Sequence, residues 1–279
     1  MTRLAIVVVS YNARADLARA LSSLTAAPPA TSHEIVVVDN ASTDGAATLV
    51  RERFPGVRVI DAGGNLGFAR ANNIGIRATT SEWVLLLNPD TIVPPGAVDV
   101  MVDHLARHPH VVALGPRLVD DDGRAELSFG AMYSPWSEAR RKVALTLDAR
   151  GFAPTRRWID RVSRRQRVVD WVSGACLLVR REAGDAAGWL DERYFMYAED
   201  VDFCAALRRA GGQVLFSPVA EIVHARGRSG QTSPGPTRDA WRASHLAFYR
   251  KHLPGWAGLL EWYLKRTEGS APNSITPGG

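Results

Sequence analysis

Leu4-Ala5-Ile6-Val7-Val8-Val9 runs without a polar interruption and then stops on Ser10-Tyr11-Asn12. An apolar run this short and this rich in β-branched residues reads as a strand covered on both faces, the kind found in parallel sheets. Working outward, Leu17, Leu21 and Leu24 fall on one face of a helix over residues 13–25, which Pro28-Pro29 brings to an end. The alternation then repeats. Strands are expected at 34–38, 57–60, 83–87 and 111–114, and helices at 44–54, 68–78 and 97–107. This is the spacing of βαβ units, so the fold class is α/β, with a Rossmann-like, mostly parallel central sheet flanked by helices.

The second half is less regular. Residues 134–168 form a basic insertion, mobile or helical, with Arg140, Arg141, Lys142, Arg150, Arg156 and Arg157 among its cations and few acids. It reads equally as a solvated face or as a patch for a phosphorylated or lipid-linked acceptor. A strand is expected over 171–179, a helix over 201–210 and two short strands at 214–216 and 221–223. Within residues 241–266, Leu246, Tyr249, Leu253, Trp256, Leu260 and Tyr263 lie among Arg250, Lys251, Lys265 and Arg266, which suits core packing or an interfacial helix broken at Pro254-Gly255. The Gly-, Pro- and Ser-rich tail from Ser270 is expected to be disordered.

The 279 residues, 46% apolar and 23% charged, are enough for one large core with an appended lobe. A net charge of +5 points to an anionic partner without choosing among nucleic acid, phosphorylated small molecules and a membrane surface. The two cysteines, Cys176 and Cys204, show no metal spacing and read as buried thiols. Residues 4–9 are too short for a span and lack a cleavage region, so a cytoplasmic location with at most peripheral membrane contact is expected.

In an open α/β sheet, ligands sit outside the carboxyl ends of the strands. Here those ends are polar: Ser10-Tyr11-Asn12, Asp39-Asn40, Asn65-Leu66-Gly67 and Asn88-Pro89-Asp90. Asp39 can accept from a base N–H while Asn40 and the chain near Ser10 frame the ring. Asp44, Ser42 and Thr43 suit helix capping. Gly67, Arg70 and Asn73 open a helix whose N–H groups, with the guanidinium, could receive a diphosphate. Asp90 stands as a hard oxygen ligand at the mouth of a rigid strand, although Asn88-Pro89-Asp90 alone also reads as a β-turn. In Tyr194–Phe203, apolar neighbours surround Glu199, Asp200 and Asp202, a setting that raises carboxylate pKa values toward general-base use. Asp202 points about 200° around the helix from Asp200. Acids in a first helical turn also have a structural reason, and a lone histidine such as His224 is commonly an ordinary core or surface residue. The glycine- and arginine-rich stretch 225–230 after His224 suits a loop closing over phosphates.

Together, Val8-Val9-Ser10-Tyr11-Asn12, Val37-Val38-Asp39-Asn40-Ala41-Ser42-Thr43-Asp44-Gly45, Asn65-Leu66-Gly67-Phe68-Ala69, Leu87-Asn88-Pro89-Asp90, Gly174-Ala175-Cys176-Leu177, Tyr197-Ala198-Glu199-Asp200-Val201-Asp202 and Val223-His224 resemble glycosyltransferase family 2, particularly its bacterial rhamnosyltransferase-like members. The resemblance implies a GT-A fold over residues 1–230, with a nucleotide-sugar half to about 116, a small acceptor-side subdomain over about 117–230, C-terminal helices over 231–268 and a tail at 269–279. It implies an inverting, non-processive transfer from a nucleotide-diphosphate sugar, dTDP-rhamnose favoured, to a hydroxyl of a glycan or polyprenyl-linked acceptor. Asp200 would be the base. Ser10, Tyr11, Asn12, Asp39, Asn40, Asn65, Gly67, Arg70, Asn73, Asn88 and Pro89 would meet the donor. Asp90 and His224 would hold Mg²⁺ or Mn²⁺, and Trp171, Gly174 and Glu199 would line the acceptor side. Asn88 departs from the pattern, standing where an Asp-x-Asp has its first carboxylate. The alternatives are a nucleotidyltransferase, or a non-catalytic module binding sugar nucleotides or a membrane surface. A dinucleotide-dependent oxidoreductase would need GxGxxG after the first strand, which Ser10-Tyr11-Asn12-Ala13 is not. Nucleic acid is not an expected partner.

Overall fold

The computed structural model describes residues 2–225 and 234–267. The loop expected to close over phosphates, the tail, and the domain limits at 230 and 269 lie outside the described residues. The first half follows the alternation: β1 (Leu4–Ser10), α1 (Arg14–Ala26), β2 (His33–Asp39), α2 (Ala46–Arg53), β3 (Val57–Asp61), α3 (Phe68–Arg77) and β4 (Trp83–Leu87). Successive side chains of a strand point to opposite faces. On β1, Leu4, Ile6 and Val8 accordingly join a core with Leu17, Leu21 and Leu24 of α1, while Val7 and Val9 pack on the other side, against residues of α3.

The chain continues through β5 (Thr91–Ile92), α4 (Ala97–Ala106), β6 (Val111–Val119), β7 (Phe129–Gly130), α5 (Pro135–Ala149), α6 (Ala153–Val162), β8 (Arg167–Val169), β9 (Trp171–Val172), β10 (Cys176–Arg180), α7 (Arg181–Ala187), α8 (Glu199–Arg209), β11 (Gln213–His224), α9 (Pro234–His252) and α10 (Pro254–Arg266). The sheet order is β3-β2-β1-β4-β10-β6-β11-β5, with β8 also on β11. β1 is parallel to β2 and β4, β2 to β3 and β6 to β11, while β10 is antiparallel to both β4 and β6. Two reversals cancel, so β6 and β11 run in the direction of β4. The carboxyl ends of β1, β2, β4 and β11 therefore share one edge of the sheet with the residues that precede β10.

Two expected elements differ. The strand over 171–179 is broken: β9 pairs with β7 in a separate ribbon, and β10 enters the main sheet. The break falls where the Gly174 N–H is donated to an Asp200 carboxylate oxygen instead of to a strand partner. The two short strands at 214–216 and 221–223 are one strand, β11, whose pairing with β6 shifts register between Ser217 and Glu221.

The basic insertion is helical. Ser134 caps α5, its hydroxyl accepting the Ser137 N–H. Part of its charge is neutralised within the fold, by Arg156–Asp148 and Arg164–Asp160 pairs, while Arg140, Arg150, Arg157, Arg161 and Arg165 remain exposed. Cys176 and Cys204 are buried free thiols.

Candidate active site

The first group of candidate residues lies at the ends of β1 and β2. Ser10 and Asp39 are register partners across the two strands and both are buried. Asp39 Oδ2 accepts the Ser42 N–H at 3.3 Å. Asp39 Oδ1 and Ser10 Oγ have no hydrogen-bond partner among the described residues. Each buried polar atom left unmet costs about 1–3 kcal/mol. Two at facing positions on a strand edge mark a place shaped for groups that a ligand brings. Tyr11 is exposed beside them.

The residues around this point hold the loops still. Asn12, in the left-handed region at φ +49°, accepts the Thr43 N–H at 2.8 Å, and its own N–H reaches Ser42 Oγ at 3.0 Å. Asp44 receives the Arg14 N–H at 2.8 Å and the Ala46 N–H at 3.0 Å, so it caps both α1 and α2, the structural reading of that residue. Asn40 was expected to frame the base. Its amide is instead taken up by the next loop, accepting from the Leu66 N–H and donating to Asn65 Oδ1, both at 2.9 Å.

The helix start expected to receive a diphosphate is engaged by a later segment. The Phe68 N–H is donated to the Phe195 carbonyl at 2.6 Å. Asn73 is buried, donating to the Leu190 carbonyl at 2.8 Å and to Glu192 Oε1 at 3.1 Å. Arg70 faces the same Glu192 at 3.6 Å. All three tie α3 to the segment that leads into α8. Gly67, at φ +82°, is the contact point, because a Cβ there would lie 2.3 Å from the Phe195 carbonyl oxygen.

At the end of β4, Asp90 and His224 meet, with Asp90 Oδ1 3.3 Å from His224 Nε2 and both side chains buried. Asn88 Nδ2 lies 3.4 Å from the same nitrogen, and Asn88 Oδ1 is buried with no partner among the described residues. Pro89 is half-buried between them. Two donors about 3 Å apart match one edge of an octahedral cation with ligand distances near 2.1 Å, so carboxylate and imidazole fit a divalent metal. Among the described residues no third His, Cys, Asp or Glu joins them as a ligand. His224 Nδ1 lies 3.2 Å from Glu126 Oε2. Burial lowers the imidazole pKa, but hydrogen bonds and charge from Asp90 and Glu126 outweigh it, pushing the pKa up to about 9.

The third group sits across β10. The Asn88 N–H is donated to the Ala175 carbonyl at 2.9 Å, and the adjacent Gly174 N–H to Asp200 Oδ2 at 3.0 Å. This links the strand-four turn to the acidic cluster. Asp200 Oδ1 accepts the Val201 N–H at 2.7 Å. Burial holds Asp200 above the usual carboxylate range against those two amides, and burial plus the Asp200 charge push Glu199 well above it. The preceding Tyr197 and Ala198 are both left-handed, at φ +71° and +66°. Two successive strained residues persist only where the surroundings over-determine them, as at active sites.

Asp202 faces the other way. It accepts from Lys251 Nζ at 2.8 Å, from the Tyr194 hydroxyl at 3.2 Å and lies 2.5 Å from His252 Nε2. Lys251 therefore belongs to a buried network and not to an interfacial face.

Trp171, expected to line the acceptor side, is 2% exposed and donates its indole N–H to the Ala131 carbonyl at 2.9 Å. Arg141 stacks on its ring at 4.8 Å, with Tyr133 edge-on at 5.9 Å. Burial and the Asp200 charge both raise the Tyr133 phenol pKa. Tyr133 and Glu126 have no local pattern in the sequence that marks them, while Arg141 figures there only as one cation of the basic insertion and Phe195 only as an apolar neighbour of the acidic cluster; each reaches the site through tertiary contacts.

A family model described as Glycosyl transferase family 2 matches residues 5–168. The chain is 34% identical to N-acetylglucosaminyl-diphospho-decaprenol L-rhamnosyltransferase of Mycobacterium tuberculosis, over 94% of this chain and 89% of that protein. It is 24% identical to rhamnosyltransferase WbbL of Escherichia coli, over 78% of this chain and 82% of that one. Among solved structures, the mannosyltransferase PcManGT of Pyrobaculum calidifontis, in complex with GDP-mannose and Mn²⁺, superposes with a TM-score of 0.61 at 21% identity, over 96% of this chain and 70% of that one. The similarity to PcManGT and to other GT-A enzymes concerns the fold.

Proposed function

The chain belongs to glycosyl transferase family 2, and from that premise we propose that it moves an L-rhamnosyl unit from a nucleotide diphosphate, dTDP favoured, to a hydroxyl of a polyprenyl-linked glycan, with inversion. The observation that carries this reading is the sharing of one sheet edge by three groups of different chemistry. These are the unmet Ser10 and Asp39 atoms, the Asp90–His224 pair and the buried Asp200.

Asp39 and Ser10 would bind the base, with Tyr11 at the rim. Asp90 and His224 would hold Mg²⁺ or Mn²⁺, which when bound neutralises negative charge on the departing diphosphate. Asp200 would take the proton of the acceptor hydroxyl as that oxygen bonds to the anomeric carbon and the carbon–diphosphate bond breaks on the opposite face. Of the two acids, Asp200 is the one that the Gly174 and Val201 amides hold in place. Gly174 keeps the Asp200 carboxylate aimed by its N–H, and a Cβ on Gly174 would come into van der Waals contact with Asp200 Cβ at 3.4 Å.

A panel of nucleotide sugars tests the donor. dTDP-rhamnose with Mn²⁺ is expected to raise the melting temperature and to be hydrolysed slowly, and GDP- and UDP-sugars to do neither. Asp39→Ala should weaken dTDP binding roughly tenfold or more, the worth of a hydrogen bond to a charged group. A flat calorimetric response to the whole panel would count against a nucleotide-sugar donor.

Among the described residues no helix is long and apolar enough to cross a membrane. α10 instead presents Trp256, Leu259, Trp262 and Tyr263, each about half exposed, next to Lys265 and Arg266. We place this face on the anionic inner surface of the membrane that carries the acceptor. Sedimentation with phosphatidylglycerol vesicles should show binding that the double variant Trp256→Ala, Trp262→Ala loses by roughly tenfold. Equal binding by the variant would remove α10 from that role.

A further inference from the structure

The turn at the end of β4 offers one carboxylate where two would be expected of a site for a divalent cation, since position 88 is the neutral Asn88. The structure supplies another carboxylate from elsewhere. Val119 and Ala125 bridge across a tight hairpin after β6, the Asp120 N–H reaching the Arg124 carbonyl at 2.9 Å and the Glu126 N–H the Leu118 carbonyl at 2.9 Å. This fixes the backbone of Glu126. Its side chain is buried with Oε2 3.2 Å from His224 Nδ1, on the opposite side of the ring from Asp90, which lies 3.3 Å from Nε2.

A carboxylate on one ring nitrogen of a metal-binding histidine selects the tautomer, orients the ring and increases the donor strength of the other nitrogen. Asn88 Nδ2 is 3.4 Å from that other nitrogen, so its amide and the carboxylate of Glu126 act on the same imidazole. We propose that Glu126 is a positioning residue that supplies, through His224, the negative charge that the 88–90 turn lacks. The inference rests on the reading of Asp90 and His224 as the metal's ligands. Glu126 does not touch the cation; it tunes the residue that does.

The test uses the full chain and Mn²⁺ alone, with free Mn²⁺ followed by its electron paramagnetic resonance signal. Glu126→Gln, isosteric and still able to accept the Nδ1 proton, should weaken Mn²⁺ binding ten- to a hundredfold, the range for loss of such an outer partner. Asn88→Asp should restore most of that loss in the double variant and give a smaller gain on its own, a coupling that a purely structural Glu126 would not produce. Melting curves without metal establish that each variant is folded. If Asp90→Asn loses Mn²⁺ while Glu126→Gln stays within about threefold of the parent, against that expected range, the role of Glu126 is overturned and the metal site stands. If Asp90→Asn binds as the parent does, both fall. Failure of Asn88→Asp to restore binding overturns the charge compensation even where Glu126→Gln is weak.

Discussion

Asp200→Asn is expected to lower kcat by on the order of 10²–10⁴-fold, the contribution of a positioned general base, while dTDP affinity stays within a few-fold. The separation follows from placement. Asp200 is held by the Gly174 and Val201 amides, and neither contact involves Ser10 or Asp39. Asn keeps the shape and one acceptor oxygen but cannot take a proton. The pH profile gives a second readout. Burial raises the Asp200 pKa, so the active, ionised form is lost as pH falls through a value above the usual carboxylate range. The parent should therefore show an acid limb in kcat that the residual activity of the variant lacks. Initial rates with calorimetric dTDP binding would check both. An Asn variant that turns over near the parent rate would remove Asp200 from the role of base.

Gly67→Ala should be nearly as damaging without touching a reacting group. The residue sits at φ +82° and ψ 175°, a region essentially reserved for glycine where a side chain costs roughly 1–3 kcal/mol, and its new Cβ would lie 2.3 Å from the Phe195 carbonyl oxygen. That carbonyl caps α3 through the Phe68 N–H, so relief requires Phe195 to move. Phe195 leads directly into the strained Tyr197-Ala198 turn that presents Glu199 and Asp200. A displacement near 1 Å at a catalytic group costs roughly a hundredfold in rate. The expected result is a kcat/KM lower by about that factor, together with a lower melting temperature. A variant with parental Tm and kcat/KM would show that the contact is tolerant and that the turn does not depend on it.

The first half of the fold is legible in the sequence because β1, β4 and most of β2 are buried on both faces and announce themselves as apolar runs, whereas the edge strand β3 is marked only by its spacing from them. The rule that ligands sit beyond strand ends then points to Ser10, Asp39 and Asp90 without further help. What periodicity does not carry is direction. Nothing in Cys176–Arg180 states that β10 runs against its neighbours, yet that reversal brings Gly174 and Asp200 to the edge where β4 ends. Nor does a residue pattern name partners. Asn73 and Trp171 look like ligand contacts from their position in motifs, but each meets a backbone carbonyl inside the fold, Leu190 and Ala131 respectively. Glu126 lies in a turn next to Asp120-Asp121-Asp122, where only its encounter with His224, on a strand far along the chain, distinguishes it from its acidic neighbours.

Asp200 and Asp202 stand two residues apart on α8 and answer to different partners. While one meets Gly174, the other pairs with Lys251 and lies beside His252 of α9. A polypeptide ended ahead of Lys251 would leave Asp202 an interior anion with only the Tyr194 hydroxyl and no counter-ion, a deficit of about 3–5 kcal/mol. What looks like an appendix in the linear order is thus the far anchor of the helix that carries Asp200.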